Sequence, residues 1–212
     1  MTSTPSAPGT PAGIAILGGS FNPPHRTHLR LAADALARLP VGEVRVIPAG
    51  DHPHKQGQDL APAADRLAMC RLCFAGVPGV VVDDREVRRA GPSFTVDTVR
   101  ELRADHPGRP LFLLIGSDNL PLLPTWRDWR GILALCTVVT WPRRGHQVEP
   151  GTLANLPLSP SERQALLANV LAAPADAVAA SAVREAWRRG DRNLPELTTA
   201  VRDYIAGHGL YR

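Results

Sequence analysis

Short runs of apolar residues alternate along this chain with longer segments whose apolar positions recur every three or four residues. Each short run has the length of a strand, and the run from Leu111 to Ile115 is apolar throughout, as expected of a strand buried on both faces. The predicted strands are Ile14–Leu17, Val44–Ile47, Val80–Val82, Leu111–Ile115 and Thr137–Trp141. The longer segments predict helices at about 28–38, 64–75, 94–103, 161–168, 182–189 and 197–206.

This alternation predicts an α/β fold, namely a Rossmann-like, doubly wound parallel sheet. The chain has 212 residues, which is enough for one well-filled core. We expect a single domain over residues 13–212, with a small C-terminal helical segment at about 178–212, preceded by a disordered tail at 1–12. The stretch 145–175 is rich in Pro, Ala and Leu, and its pattern indicates no role.

Hydropathy and charge restrict the classes of partner. No segment approaches the ~20 apolar residues that cross a bilayer, and residues 1–12 lack the apolar centre of a signal peptide. We therefore expect a cytoplasmic protein without a membrane partner. The net charge of +4 suits anionic ligands, but the arginines are scattered and aromatic residues make up only 5% of the chain, which argues against nucleic acid. Small phosphorylated substrates explain the charge equally well.

The three cysteines do not form a disulfide framework. Cys70 and Cys73 make a CxxC pair, but they lie in a segment whose apolar positions repeat at helical spacing, and the chain has no second CxxC. We predict that they pack in the core, with a metal or redox role as the alternative.

The segment AILGGSFNPPHRTHLRL, from Ala15 to Leu31, predicts a phosphate site. A strand ends at Gly18 and Gly19, where the absence of side chains lets backbone N–H groups of the following turn, including Ser20 and Phe21, approach an anion. The helix that follows adds the positive end of its dipole. His25 and His28 are three residues apart and would share one face of that helix. A zinc site is the alternative, but it would need at least a third ligand.

Polar residues also follow the other predicted strands, and one cleft at the carboxyl ends of the sheet could hold them all. The segment PAGDHPHK contains His54 and Lys55, which could contact a substrate phosphate or be solvated as charged loop residues usually are. Asp118, in GSDN, could bind a ribose or reach a magnesium ion through water, and we favour the ribose. Arg143, in WPRRG, is a further candidate contact for phosphate.

Several of these segments together resemble one family, the bacterial nicotinate-nucleotide adenylyltransferases of the nucleotidyltransferase superfamily. GGSFNPPHRTHL resembles the histidine motif of that family (HxGH), and VAASAVR, from Val178 to Arg184, resembles its second motif (ISSTxIR). PAGDHPHK, REVRRAGPSFTVDT, IGSDNLPLLPTWRDW and YIAGHGLYR match further family segments. The sequence departs from the family at Thr27, which stands in place of glycine, and at Ala179 and Ala180, which stand in place of serines.

The resemblance implies transfer of AMP from ATP to nicotinate mononucleotide, giving deamido-NAD and pyrophosphate in NAD biosynthesis. It implies ATP and nicotinate mononucleotide as partners, Mg²⁺ held through the ATP phosphates, and no metal ligands from the protein. His28 would bind the α-phosphate in the transition state, and His25 would bind neighbouring oxygens. Ser181 would cap the following helix and meet the β- and γ-phosphates, with Arg184 in the first turn facing the same anion.

The resemblance also implies a pyridine site. Trp126 would stack on the ring, backbone groups near Thr95 would bind its carboxylate, and Arg127 would favour the acid over the amide. Two alternatives stay open: a related adenylyltransferase using nicotinamide mononucleotide or another phosphorylated acceptor, and a non-catalytic nucleotide-binding sensor. The sequence also leaves open whether the chain forms a homo-oligomer.

Overall fold

The computed structural model describes residues 11–50, 60–173 and 178–212. Its centre is a five-stranded sheet in the order β3-β2-β1-β4-β5, in which every neighbouring pair is parallel. The chain therefore adds strands outward on one side of β1 and then on the other side, which confirms the predicted doubly wound fold. The strands are β1 Gly13–Gly19, β2 Val41–Pro48, β3 Val80–Val82, β4 Leu111–Gly116 and β5 Thr137–Trp141.

Helices connect the strands and complete the C-terminal part of the described chain. They are α1 Arg26–Arg38, α2 Ala63–Cys73, α3 Arg85–Arg88, α4 Thr95–Asp105, α5 Trp129–Leu135, α6 Pro160–Ala168, α7 Ala180–Arg188 and α8 Thr199–His208, with 3-10 turns at Leu120–Thr125 and Pro150–Leu153. The sequence did not predict α3 and α5, whose four and seven residues are too few to show a helical period. None of the described helices is long and apolar enough to cross a membrane.

The sheet is buried on both faces, because its strands alternate between two apolar cores. In β1, Ala15 and Leu17 face a core shared with α1, α2, α7 and α8, while Ile14 and Ile16 face a core shared with α4, α5 and α6. β4 divides its side chains in the same way, as its uninterrupted apolar sequence predicts. The sheet edge that carries the carboxyl ends is left for the polar loops.

All three cysteines are buried in these cores, which confirms the packing prediction for Cys70 and Cys73. Burial raises the pKa of the Cys73 thiol, and likewise that of Cys136, to about 12. The pKa of Cys70 is also raised, chiefly by burial. Because the thiolate is the reactive form, these side chains behave as apolar residues at neutral pH.

Candidate active site

The site is built where the strand order reverses, between the carboxyl ends of β1 and β4. β1 ends at Gly19, whose carbonyl accepts a hydrogen bond from the N–H of Ala49 beyond β2 at 2.9 Å. The chain then turns through Phe21, which is buried and has a φ of +45°, and enters α1. A side chain on Gly18 would meet no atom within 4 Å, so the space beside this turn is open to a ligand.

His25 and His28 form a rigid pair at the start of α1. The backbone N–H of His25 donates to Nδ1 of His28 at 3.1 Å, and the backbone N–H of His28 donates to the carbonyl of His25 at 2.8 Å. Their ring centroids are 3.9 Å apart, and the ring of Phe21 lies 4.8 Å from that of His28. The helix start thus brings both imidazoles to one place, as their spacing predicts.

The environment of His28 keeps its imidazole neutral. Burial lowers its pKa well below the ordinary value, and the nearby His25 and the cationic Arg143 lower it further. Since Nδ1 accepts a hydrogen bond, the neutral ring carries its proton on Nε2. His28 therefore has one N–H donor, which it can offer to an anion.

Arg143 and Asp118 join the loops after β5 and β4 into one polar unit. The backbone N–H of Arg143 donates to Oγ of the buried Ser117 at 2.8 Å, and its guanidinium Nη1 lies 3.0 Å from Oδ2 of Asp118. The other carboxylate oxygen of Asp118 is buried without a hydrogen-bond partner among the described residues. A Cβ on Gly116 would overlap with that oxygen, so a larger residue here would displace the Asp118 carboxylate.

The second motif contacts the first through Arg184. Nη1 of Arg184 in α7 donates to the backbone carbonyl of Asn22 at 2.8 Å, which joins residues 162 positions apart in the chain. Asn22 stands three residues before His25 in the loop that follows Gly19. The structure therefore brings the segment 178–184 against the glycine turn.

The predicted capping role of Ser181 is wrong. The residue before α7 is Ala179, it makes no side-chain cap, and Ser181 is already the second residue of the helix. The hydroxyl group thus stands two positions too late to accept from the first-turn N–H groups. Arg184 is the fifth residue of the helix rather than a member of its first turn.

Arg66 is a contributor that the sequence analysis missed. It is only 3% exposed, and its guanidinium donates to the carbonyls of Ser20 at 2.8 Å, Ala61 at 3.0 Å and Gly50 at 3.2 Å. Ser20 lies in the loop after β1, whereas Gly50 and Ala61 lie near the two ends of the connection between β2 and α2. One buried side chain therefore holds these two connections together beside the site.

The residues predicted to bind the pyridine ring lie beside α4. Thr95 is the first residue of that helix and is half-buried. The guanidinium carbon of Arg127 lies 4.6 Å from the ring centroid of Phe94, the neighbour of Thr95, so a positive charge is held close to this helix start. Trp126 is partly buried and packs against the core of α4, α5 and α6.

A cavity of about 330 Å³ opens beside the first turn of α1. Its volume is at the lower end of the range for small-molecule sites. The backbone N–H of Arg26, which lines the cavity, donates to the carbonyl of Glu196 on the same wall at 2.7 Å. The cavity is lined by Arg26, Thr27, Arg30, Val178, Pro195 and Glu196.

Two further points concern the predicted ligands. His54 and Lys55 lie outside the described residues. Within 11–50, 60–173 and 178–212, no group of three or more His, Cys, Asp or Glu side chains could hold a metal ion. Asp118 is the carboxylate that stands next to Arg143 in the site.

Comparisons with known proteins show similarity to one family over most of the chain. Residues 16–186 match the model of the cytidylyltransferase-like family. A protein of Albidiferax ferrireducens named "Probable nicotinate-nucleotide adenylyltransferase" is 39% identical, covering 94% of this chain and 98% of the relative. A protein of the same name from Aeromonas salmonicida is 38% identical, covering 95% and 98% respectively.

Solved structures match the fold. The nicotinic acid mononucleotide adenylyltransferase of Plasmodium falciparum, complexed with NaAD, superposes with a TM-score of 0.75 and 17% sequence identity, covering 95% of this chain and 98% of that one. The same protein complexed with APC gives the same TM-score. At this identity, the likeness shows a common fold.

The lowered pKa of His28 predicts a pH-dependent stability. The unfolded chain takes up a proton on this ring near pH 6.5, whereas the folded protein does not, so the free energy of unfolding falls as the pH drops below about 6.5. Between pH 7.5 and 5.5 the loss due to His28 should be about 1 kcal/mol. His28→Gln should lack this part of the loss in denaturant titrations at the two pH values.

His146→Gln is the matched control, because His146 is exposed. This variant should retain the pH dependence of the wild type. A His28→Gln protein with the same pH dependence as the wild type would show that the folded state does not disfavour the imidazolium at this position.

Proposed function

We propose that this chain, which belongs to the cytidylyltransferase-like family and within it to the nicotinate-nucleotide adenylyltransferases, transfers AMP from ATP to nicotinate mononucleotide in NAD biosynthesis. The observation that carries the proposal is the contact between the two motif segments, in which Arg184 donates to the carbonyl of Asn22 at 2.8 Å. In this proposal, the histidine pair and α7 bind the triphosphate from two sides. The products are deamido-NAD and pyrophosphate, and the proposed functional unit is residues 13–212.

The reaction needs positioning and charge stabilisation more than bond-making groups of the protein. An oxygen of the 5′-phosphate of nicotinate mononucleotide attacks the α-phosphorus of ATP, and the bond from that phosphorus to the bridging oxygen of the β-phosphate breaks. The electron pair leaves with pyrophosphate. Since the nucleophile is already an anion, no general base and no covalent intermediate with the protein are required.

His28 is the proposed donor to the α-phosphate. Its Nδ1 is occupied by the backbone N–H of His25, and Nε2 therefore presents the proton. A neutral donor in a site that also contains Arg143 and Arg184 binds the developing negative charge without releasing a proton of its own. His25, whose ring centroid is 3.9 Å away, is placed to bind a neighbouring oxygen.

The charged side chains other than the histidine pair are assigned to the phosphates and the ribose of ATP. Arg184 and the first-turn N–H groups of α7 face the β- and γ-phosphates in this proposal, and Arg143 faces the α-phosphate. The backbone N–H groups of the turn at Gly18, Gly19, Ser20 and Phe21 would bind the same phosphates. The unpartnered Oδ1 of Asp118 is an acceptor suited to a ribose hydroxyl.

Magnesium is the proposed cofactor, and it would be bound mainly by the phosphates of ATP. When bound, Mg²⁺ neutralises charge on the triphosphate and on the leaving pyrophosphate. Asp118 is the side chain of the described site that fits such an ion, through a bridging water rather than by direct ligation. Both substrates are cytoplasmic metabolites, so we propose a cytoplasmic reaction.

For the acceptor, we propose that the start of α4 binds the nicotinate carboxylate. The N–H groups near Thr95 supply donors, and Arg127, held over the ring of Phe94, supplies the charge that distinguishes an acid from an amide. Trp126 would cover the face of the pyridine ring. His54 and Lys55 remain predicted contacts for a substrate phosphate.

A substrate panel tests the proposed function. With Mg²⁺-ATP, nicotinate mononucleotide should release pyrophosphate faster than nicotinamide mononucleotide by at least about tenfold, because Arg127 stabilises the carboxylate. Phosphopantetheine should give no turnover. Preference for phosphopantetheine would contradict the assignment, and ATP binding without pyrophosphate release would indicate a nucleotide sensor instead.

His28→Ala should reduce kcat by about a hundredfold or more, which corresponds to about 3 kcal/mol of lost transition-state stabilisation. Initial rates at saturating substrates measure this loss, and thermal unfolding checks that the fold is retained. His146→Ala, at an exposed position, is the control and should have normal kcat. Near-normal kcat in His28→Ala would remove His28 from the mechanism.

Trp126→Ala should raise the KM for nicotinate mononucleotide by about tenfold, because the pyridine ring loses an aromatic partner. The KM for ATP should change by less than about twofold, since the indole contacts only the acceptor in this proposal. Trp126→Phe keeps an aromatic face and should recover most of the loss. An unchanged KM for nicotinate mononucleotide in Trp126→Ala would refute the stacking role.

A further inference from the structure

We infer that Tyr211 is a positioning residue for phosphate transfer: through Asn22, its hydroxyl fixes the loop between Gly19 and His25 against Arg184. The inference rests on the proposed function, because it concerns the same triphosphate site. Tyr211 lies beyond α8, at the far end of the chain from that loop, and it has no proposed contact with a reacting atom.

Asn22 is the point at which three distant segments meet. Its side-chain oxygen Oδ1 accepts from the hydroxyl of Tyr211 at 2.7 Å and from the backbone N–H of Ala61 at 3.0 Å. Its backbone carbonyl accepts from Nη1 of Arg184 at 2.8 Å. Asn22 is 1% exposed, so these bonds are formed away from solvent.

The local backbone directs Tyr211 toward this position. α8 ends at His208 and is followed by Gly209, whose φ of +60° reverses the chain, and the N–H of Leu210 donates to the carbonyl of Ile205 at 3.1 Å. Tyr211 itself has a φ of +59°, a conformation that residues with a Cβ adopt rarely. Its ring is buried in the core shared with α1, α2, α7 and α8, so the hydroxyl is held at a fixed position.

The chemistry of the phenol suits a permanent donor. Burial raises the pKa of Tyr211, which keeps the hydroxyl protonated at neutral pH. The two acceptor sites of Oδ1 are then both filled, by one hydroxyl and one backbone N–H. Asn22 cannot move without breaking a bond to Tyr211, Ala61 or Arg184.

A displacement of Asn22 would move the proposed phosphate-binding groups on both sides of it, namely the histidine pair and Arg184. His25 follows it by three residues and carries the backbone N–H that orients His28, while Arg184 is bonded to its carbonyl. Loss of the Tyr211 hydroxyl should therefore impair phosphate transfer. It should leave binding of the pyridine ring, beside α4, unchanged.

Tyr211→Phe is the direct test, with Tyr204→Phe as the matched control. Tyr204 also donates its hydroxyl to a side chain, Oδ1 of Asp65 at 2.9 Å, but it lies within α8 and this bond leads to α2 and not to Asn22. In Tyr211→Phe, kcat should fall by about tenfold, because misplaced reacting groups cost rate steeply. The KM for nicotinate mononucleotide should stay within about twofold of the wild type, and Tyr204→Phe should match the wild type in both constants.

Asn22→Ala removes the acceptor of the same hydrogen bond and so tests it from the other side. If Tyr211 acts through Asn22, adding Tyr211→Phe to Asn22→Ala should change kcat by less than about twofold, because the acceptor is already gone. All rates are measured at a temperature at which thermal unfolding shows each variant to be folded. A full tenfold effect of Tyr211→Phe in the Asn22→Ala background would overturn the inference.

A binding measurement keeps the inference separate from the proposed function. Calorimetry with a non-hydrolysable ATP analogue and with adenosine should show that Tyr211→Phe weakens the analogue by about fivefold and adenosine by less than about twofold, because the loop binds phosphate. Equal affinities of Tyr211→Phe and Tyr204→Phe for the analogue would overturn the inference. A wild-type protein that makes no deamido-NAD would refute the proposed function alone, since the calorimetric comparison still decides the role of Tyr211.

Discussion

The site depends most on the hydrogen bonds that the buried guanidinium of Arg66 donates to backbone carbonyls. A parallel sheet brings the ends of its strands to one edge, but the loops that leave this edge have no ladder to hold them. Arg66 donates to backbone carbonyls in two of these connections, at Ser20 after β1 and at Gly50 and Ala61 between β2 and α2. Burial of a cation costs several kcal/mol, and charge-assisted bonds to fixed carbonyls offset that cost. The same arrangement adds positive potential beneath the loop that follows Gly19.

The charges and hydrogen-bond donors at this edge suit the anionic substrates that we propose. Arg143 and Arg184 carry fixed charges, whereas His28 is kept neutral by burial, His25 and Arg143. The site thus combines cations with a donor that does not lose or gain a proton near neutral pH. Asn22 joins the two motif segments through its hydrogen bond with Arg184. Its further hydrogen bond with Tyr211 attaches the loop after Gly19 to the core. A reaction driven by positioning and charge needs such rigidity more than it needs acid–base chemistry.

The features that could be predicted are those that depend on the order of residues within one short segment. The apolar run Leu111–Ile115 identified a central strand, and the spacing of His25 and His28 predicted their proximity. The helices α3 and α5 could not be predicted, because four and seven residues are too few to show the helical spacing of apolar residues. Ser181 was misassigned as a cap because spacing alone does not show where a helix begins, and α7 begins at Ala180. No role could be predicted for Arg66, Asn22 or Tyr211, because their partners lie up to 189 positions away in the chain. A pattern within one segment does not indicate contacts with such distant residues.

The central claim is that the histidine pair and α7 bind one triphosphate from two sides. A crystal structure with a non-hydrolysable ATP analogue measures this directly. The account predicts Nε2 of His28 at about 3 Å from an oxygen of the α-phosphate, and Arg184 in contact with the β- or γ-phosphate of the same molecule. An analogue whose phosphates contact only one of the two segments, or that binds elsewhere on the protein, would contradict the account.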